Sequence, residues 1–429
     1  MRFRAWICAA GVSGLVLLAG CAANRAASTG TAEMPYPPSA PPKVEEIFHL
    51  PTGLRLSVDE MIEMLSGVRL VCVGETHDNL NDQRVELTVV RELHRRFPGK
   101  VAVGMEMFRE PQQAVLDQWV KGELTELEFL KASKWYETWG FDFGAYRDLL
   151  LFARENRIDV IALNPPKELQ DAVRRTGLDS VPEDLRRELP EIGETDPWQR
   201  AVLRGVFGGH AGHGGGEASF DAFLRVQLLW EETMARKVVD YLKSPRGEGK
   251  RMVTITGGWH VQYGFGLPKK VIRRMQMPYA ILLPEEISTP EQQEGRMMRV
   301  DLPEVPLLPA HFLWYVPFNG IEEKRVRMGI RMEEKEGRLL VESVAKGSPA
   351  TIAGIAKGDE LLALDGQPVK ETVDVLFRVG EKRDGDTARV TVRRGGEEKT
   401  LDLTFFKMPK PKSHSTGGSG GVAGGGGAQ

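Results

Sequence analysis

The chain has 429 residues with 57 basic and 60 acidic side chains, a formal net charge of −3, 41% hydrophobic and 27% charged residues. That length predicts two or three domains, each with an ordinary apolar core. The near-balance of charge, with no basic patch or recognition motif, excludes nucleic acid as a partner.

The elements follow in chain order. Arg2 and Arg4 precede an apolar run, Trp6–Leu18, which is too short to remain as a membrane span. Leu18–Cys21 then reads LAGC. This resembles the lipobox of bacterial lipoproteins, which implies cleavage after residue 20 and lipidation of Cys21. Ala22 follows where an inner-membrane lipoprotein has Asp, so the resemblance points to the outer membrane. Cys8 falls in the signal, which leaves Cys72 as one of 3 cysteines; no structural disulfide is available, and Cys72 reads as a small core hydrophobe. Residues 21–43 are rich in Ala, Ser, Thr and Pro and read as a disordered tether holding the rest off the membrane.

A first domain is expected over residues 44–318. A helix capped by Ser57 or Asp59 covers Ser57–Leu65. Leu70–Val73 reads as a strand buried on both faces; Gly74 breaks it and Glu75, Thr76, His77 and Asp78 follow. Val85, Val89, Leu93 and Phe97 recur every four residues and predict a helix over Asp82–Phe97. The next strand, Val101–Phe108, carries Glu106 among Met105, Met107 and Phe108, an acid that needs a partner if it is buried. Helices are expected over Pro111–Lys121, Thr125–Ala132 and Ala145–Asn156. Between them Trp135, Tyr136, Trp139, Phe141 and Phe143 cluster as a pocket wall or a packed loop. Asp159–Asn164 is a further strand. Phe207–Glu217 is a glycine loop carrying His210 and His213, either a disordered insertion or the arm of a ligand site. In the long helix Ser219–Leu242, Gln227 and Glu231 share the apolar face, at its edge or lining a polar crevice. Arg251–His260 repeats the earlier design: a strand, a glycine, and a histidine three residues on. Strands Tyr279–Pro284 and His311–Val316 end the region. The alternation of strands and helices predicts an α/β fold, a layered, mostly parallel sheet with flanking helices. Ligands of such sheets bind at the carboxyl ends of the strands, so His77, Glu106 and His260 are expected in one crevice.

GETHDN at 74–79, GMEMF at 104–108, QLLWEETMA at 227–235 and GGWHVQYGFGLP at 257–268 together resemble the ChaN-type haem-binding uptake domain of the Tiki superfamily. The resemblance implies haem held through tyrosine with help from histidine, in a lipoprotein linked to iron acquisition, with a homodimer as the expected assembly. Trp259 stands where the family is expected to have a small residue. Tyr263, His210 and His213 are the candidates for haem; Tyr136, Tyr146 and Tyr315 are alternatives. The superfamily also contains metal-dependent proteases and esterases. That implies a second reading, a hydrolase in which Glu75, His77, Glu106 and His260 are catalytic and His77, Glu106 and His260 hold zinc, manganese or cobalt. A third reading makes the first domain inert and the chain an envelope scaffold.

Residues 320–408 are expected to form a second, small β-barrel-like domain. GSPATIAGIAKGDELLALDGQPV at 347–369 resembles the PDZ domains of bacterial periplasmic proteases, with Asp365–Gly366 as a hairpin turn. By that resemblance Met328, Gly329 and Ile330 form a carboxylate-binding loop. The helix Thr372–Val379 offers Val373, Leu376 and Phe377 to the C-terminal peptide of another protein, which adds as a strand. The glycine-rich tail, residues 409–429, is expected to be disordered.

Overall fold

The computed structural model describes residues 36–37, 40–209, 216–289, 302–320 and 325–408. The lipobox with Cys21, most of the tether, His210, His213 and the tail lie outside the described residues.

The first domain is built on an eight-stranded sheet. Its strands are β1 (Ile47–His49), β2 (Leu54–Leu56), β3 (Leu70–Glu75), β4 (Val101–Arg109), β5 (Asp159–Asn164), β6 (Arg251–Gly257), β7 (Tyr279–Ile287) and β8 (Phe312–Pro317). They lie side by side in the order β2-β1-β8-β7-β3-β6-β4-β5. From β8 to β5 every pairing is parallel, as the expected sheet required. The exception is the edge hairpin, in which β1 pairs antiparallel with both β2 and β8. Two strands of three residues each carry too little period-2 pattern to stand out in a sequence.

Alternation along the strands divides the core into two layers. Val71, Val73, Val103, Met105, Val253 and Ile255 face helices Leu80–Arg96 and Phe143–Glu155 in one layer. That layer also takes Trp119, Phe129, Trp135 and Tyr146. Leu70, Cys72, Ala102 and Met252 face the 27-residue helix Glu217–Lys243 on the other side. Burial lifts the Cys72 thiol to about 12, in keeping with an inert core hydrophobe. Helix Val58–Leu65 begins at Ser57 with a reciprocal capping box to Glu60. No helix among the described residues is long and apolar enough to cross a membrane.

The second domain is an antiparallel sheet of β9 (Ile330–Lys335), β10 (Arg338–Val344), β11 (Glu360–Leu364), β12 (Gln367–Pro368), β13 (Thr387–Arg394) and β14 (Glu397–Thr404). Asp365 and Gly366, both at positive φ, turn β11 into β12, the expected type of two-residue hairpin. Buried Asp359 takes a two-pronged ion pair from Arg394, at 2.6 and 2.7 Å, and accepts from the Ala356 amide. Helix Thr372–Gly380 lies over one edge of this sheet.

Candidate functional site

The site is at the carboxyl ends of β3, β6 and β4, which are adjacent. Their register sets Glu75 beside Gly257, and Met105 beside Ile255, so Glu75, Gly257 and Glu106 finish at nearly one level. Glu75 continues the face of Val71 and Val73, whereas Glu106 lies on the face of Ala102. The two carboxylates therefore start on opposite sides of the sheet, and the two histidines that follow the strands complete the crevice over its edge. Gly74 is required by close approach: a Cβ there would lie 2.8 Å from Gly258 Cα and 2.6 Å from a Leu283 methyl.

On the first side, Glu75 is buried and receives three donors. His77 Nδ1 lies 2.7 Å from its Oε1, the Tyr146 hydroxyl donates to the same oxygen at 2.7 Å, and Gln83 Nε2 donates to Oε2 at 2.5 Å. Burial would raise the Glu75 carboxyl, but the His77 bond and charge outweigh it and the group is held below its usual range. Burial would lower His77; the hydrogen bond and charge of Glu75 outweigh that, and the imidazole is raised. Its ring is boxed by Trp139 and Phe141, with centroids at 4.9 and 5.3 Å. The aromatic cluster of the sequence thus splits in two: Trp135 and Phe143 pack the core, while Trp139 and Phe141 wall the site. Glu86, fully buried, is pushed well above its normal range by burial and then by the Glu75 charge.

On the second side, Glu106 accepts from the Gly257 amide at 2.7 Å, and its other oxygen lies 3.5 Å from His260 Nε2. His260 Nδ1 lies 3.5 Å from Glu231, so this imidazole has a carboxylate at each nitrogen. Glu231, which shares the apolar face of its helix, lines the crevice. It is bonded by Lys270 at 2.7 Å and Gln199 at 2.6 Å. Burial alone would lower His260, but Glu106 and then Glu231 lift it to about 10; burial would raise Glu106, but His260 draws it down to about 2. His260 is therefore an imidazolium held between two anions. A Cβ added at Gly257 would lie 3.3 Å from His77 Nε2 and 3.7 Å from Glu106 Oε2, so the two halves approach each other across Gly257.

Glu75, His77, Glu106 and His260 thus line one crevice. As the side chains stand, no group of three or more His, Cys, Asp or Glu among the described residues is arranged around a metal position. His260 has a carboxylate at each nitrogen, and His77 Nδ1 faces Glu75. Sequence reasoning missed Lys270, Gln199 and Gln83, which partner the buried acids from other elements; a buried Glu231 was the signal that some cation had to reach it.

Of the tyrosines, Tyr146 is fully buried and committed to Glu75. Tyr315 is buried edge-on to Phe48, and burial raises Tyr136 to about 12. Tyr263 is half-buried and stands three residues after His260, in a left-handed backbone conformation at φ 57°. Non-glycine residues rarely hold that conformation, and it concentrates at functional sites. Its ring lies 5.9 Å from Phe265, in a cluster with Val202 and Val305 to which Trp259 and Leu302 add. This apolar wall with one phenol has the chemistry a flat tetrapyrrole with a tyrosine ligand requires.

In the second domain, Met328 is buried and Gly329, at φ 79°, has its α-carbon against Ser348. Leu376 is half-buried. Val373 and Phe377, expected in the peptide groove, instead pack against the core of the first domain, whereas Val375 and Val379 of the same helix pack into the PDZ core. Apolar stripes on two faces of one helix read alike in sequence.

Residues 61–271 match the family described as haem-binding uptake, Tiki superfamily, ChaN, and residues 326–405 match the PDZ domain family. A solved structure described as cofacial heme binding to ChaN of Campylobacter jejuni is similar at 14% identity and a TM-score of 0.49, covering 62% of this chain and 95% of that one. The second domain is 41% identical over 86 residues to a probable periplasmic serine endoprotease DegP-like of Rhizobium meliloti (strain 1021), covering 20% of this chain and 17% of the relative. It is 30% identical over 84 residues to a probable CtpA-like serine protease of Staphylococcus haemolyticus (strain JCSC1435), covering 19% of this chain and 17% of the relative. The chain thus spans about a sixth of the length of these curated relatives. It carries a ChaN-type haem-binding domain of the Tiki superfamily joined to a PDZ domain.

Proposed function

We propose that this protein binds haem, or a related tetrapyrrole, at the wall around Tyr263 and docks protein C-termini through its PDZ domain, lipid-anchored by Cys21 at the outer membrane. The observation that carries the haem reading is Tyr263 itself. A strained turn sets a half-buried phenol in an apolar cluster, three residues after His260 of the crevice. Tyr263 would supply the ligand oxygen and Trp259, Phe265 and Val305 the apolar contact. Haem bound there would bring an iron centre that the chain carries or hands on. The anchor rests on LAGC at 18–21.

The test is titration of the full chain with haemin. The parent should give a high-spin ferric spectrum of tyrosinate type, and Tyr263→Phe should lose it while keeping the parent's far-ultraviolet dichroism. An unchanged spectrum in that variant removes Tyr263 from the role.

One observation favours a second reading. His77, oriented by Glu75 through Nδ1, keeps Nε2 toward Gly257 and Glu106, the arrangement of a positioned general base. Ester hydrolysis by the parent that His77→Ala abolishes would support it.

A further inference from the structure

The PDZ groove helix, Thr372–Gly380, has two working faces. Val375 and Val379 belong to its own domain; Val373 and Phe377, four residues apart on another stripe, pack on the first domain's core. Polar contacts close the same junction. Lys131, from helix Glu126–Ser133 of the first domain, lies 2.8 Å from Asp374 and 3.3 Å from Glu371. Asp374 is buried and also accepts from the amides of Lys370 and Glu371, so it cannot follow the lysine elsewhere. Arg325, at the entry to the PDZ domain, pairs with Asp142.

Both contacts lead to the crevice. Asp142 caps helix Phe143–Glu155 through the Gly144 amide at 2.7 Å. It directly follows Phe141, which with Trp139 walls His77. That same helix carries Tyr146, the donor to Glu75. From Lys131's helix, Phe129 packs on Phe143. At the other end of the groove, the Glu334 carboxylate of β9 accepts from the Thr372 amide at 2.7 Å and ties the groove's strand to its helix.

We propose that the PDZ domain is docked on the first domain by the back of its groove helix, and that occupation of the groove by a protein C-terminus is thereby felt at the His77–Glu75 pair. A peptide entering between β9 and the helix must move one against the other or break the Glu334 tie. The helix's outer face is held, so part of that displacement passes to the Lys131 helix and the 139–142 loop. Linkage makes the effect reciprocal: a ligand in the crevice changes peptide affinity by the same factor.

The experiment uses the full chain in two arms. In the first, histidines are labelled at Cε1 and the His77 resonance is followed while a decapeptide ending in a free valine carboxylate is added. This arm rests on the PDZ domain binding such a peptide. Movement of the His77 signal in the parent, lost at matched occupancy in the double variant Lys131→Ala/Arg325→Ala, supports the proposal; bound peptide with an unmoved His77 overturns it. The second arm needs no ligand, so a peptide that fails to bind counts against the groove reading alone. In the double variant, amide exchange should rise about fivefold or more, a local opening, in both 372–380 and 139–146, with β13 and β14 unchanged. Faster exchange confined to the PDZ side overturns the proposal.

Discussion

Glu106, on β4, and His260, in the turn that follows β6, face each other at 3.5 Å, and each fixes the charge of the other. Removing the imidazole leaves Glu106 and Glu231 buried beside one remaining cation, Lys270. His260→Ala should cost about 3–5 kcal/mol, the range for breaking a buried ion pair, measured by urea denaturation of the full chain. Glu231→Gln should cost less, because Gln199 and Lys270 retain an oxygen to bond.

The same pair sets a pH window. Glu106 is depressed from 4.5 to about 2, so its contribution is complete above 4.5 and is lost as pH falls toward 2. His260 is raised from 6.5 to about 10, so its contribution is complete below 6.5 and is lost as pH rises toward 10. Stability from this pair should be greatest between these limits. In His260→Gln the alkaline decline should shrink. A decline as steep as the parent's would place its origin elsewhere.

The six parallel strands of the first domain, their order along the chain and the two Gly-x-x-His turns were legible because buried parallel strands leave continuous apolar runs that glycine ends abruptly. Glu106 and Glu231 announced themselves as acids in apolar patterns. Their partners did not: Lys270 and Gln199 lie on amphipathic helices where a lysine or glutamine is ordinary, and only the tertiary fold turns them inward. The orientation of the imidazoles was hidden for a related reason. Residue types at strand ends say nothing of which way a ring nitrogen points, and here three of the four imidazole nitrogens face carboxylates.

A methyl group at residue 266 should be poorly tolerated. A Cβ on Gly266 would lie 2.3 Å from the His260 carbonyl oxygen and 2.7 Å from Glu231 Oε1. Gly266→Ala should destabilise the chain by about 1–3 kcal/mol, as overpacking does. By displacing His260 it should also broaden that residue's resonance. A variant with the parent's melting temperature and spectrum would contradict this packing.

Tyr146→Phe separates structural from ligand tyrosines. It removes a buried donor to Glu75 and should cost about 1–3 kcal/mol, read by thermal unfolding, while the haemin spectrum persists. Loss of the spectrum with unchanged stability would exchange the roles given to Tyr146 and Tyr263.

At the PDZ loop, a side chain at 329 would meet Ser348 Cβ at 2.2 Å from a backbone at φ 79°. Gly329→Val should therefore weaken binding of a free-acid peptide at least about tenfold, roughly 1.4 kcal/mol, as measured by fluorescence anisotropy. The parent should discriminate against the same peptide amidated. Equal binding of acid and amide would show that the loop reads something other than a carboxylate.

Because Glu75 and Glu106 leave the sheet on opposite faces, each histidine answers to a different layer of the protein. A substitution among the aromatics around Trp135 and Phe143 reaches His77 through Tyr146 and Glu75; one on the helix of Glu231 reaches His260. The two halves still couple above Gly257, where the charges of Glu106 and His260 act on His77. Sequence drift in one layer therefore tunes its own imidazole through hydrogen bonds and packing, and the other through charge alone.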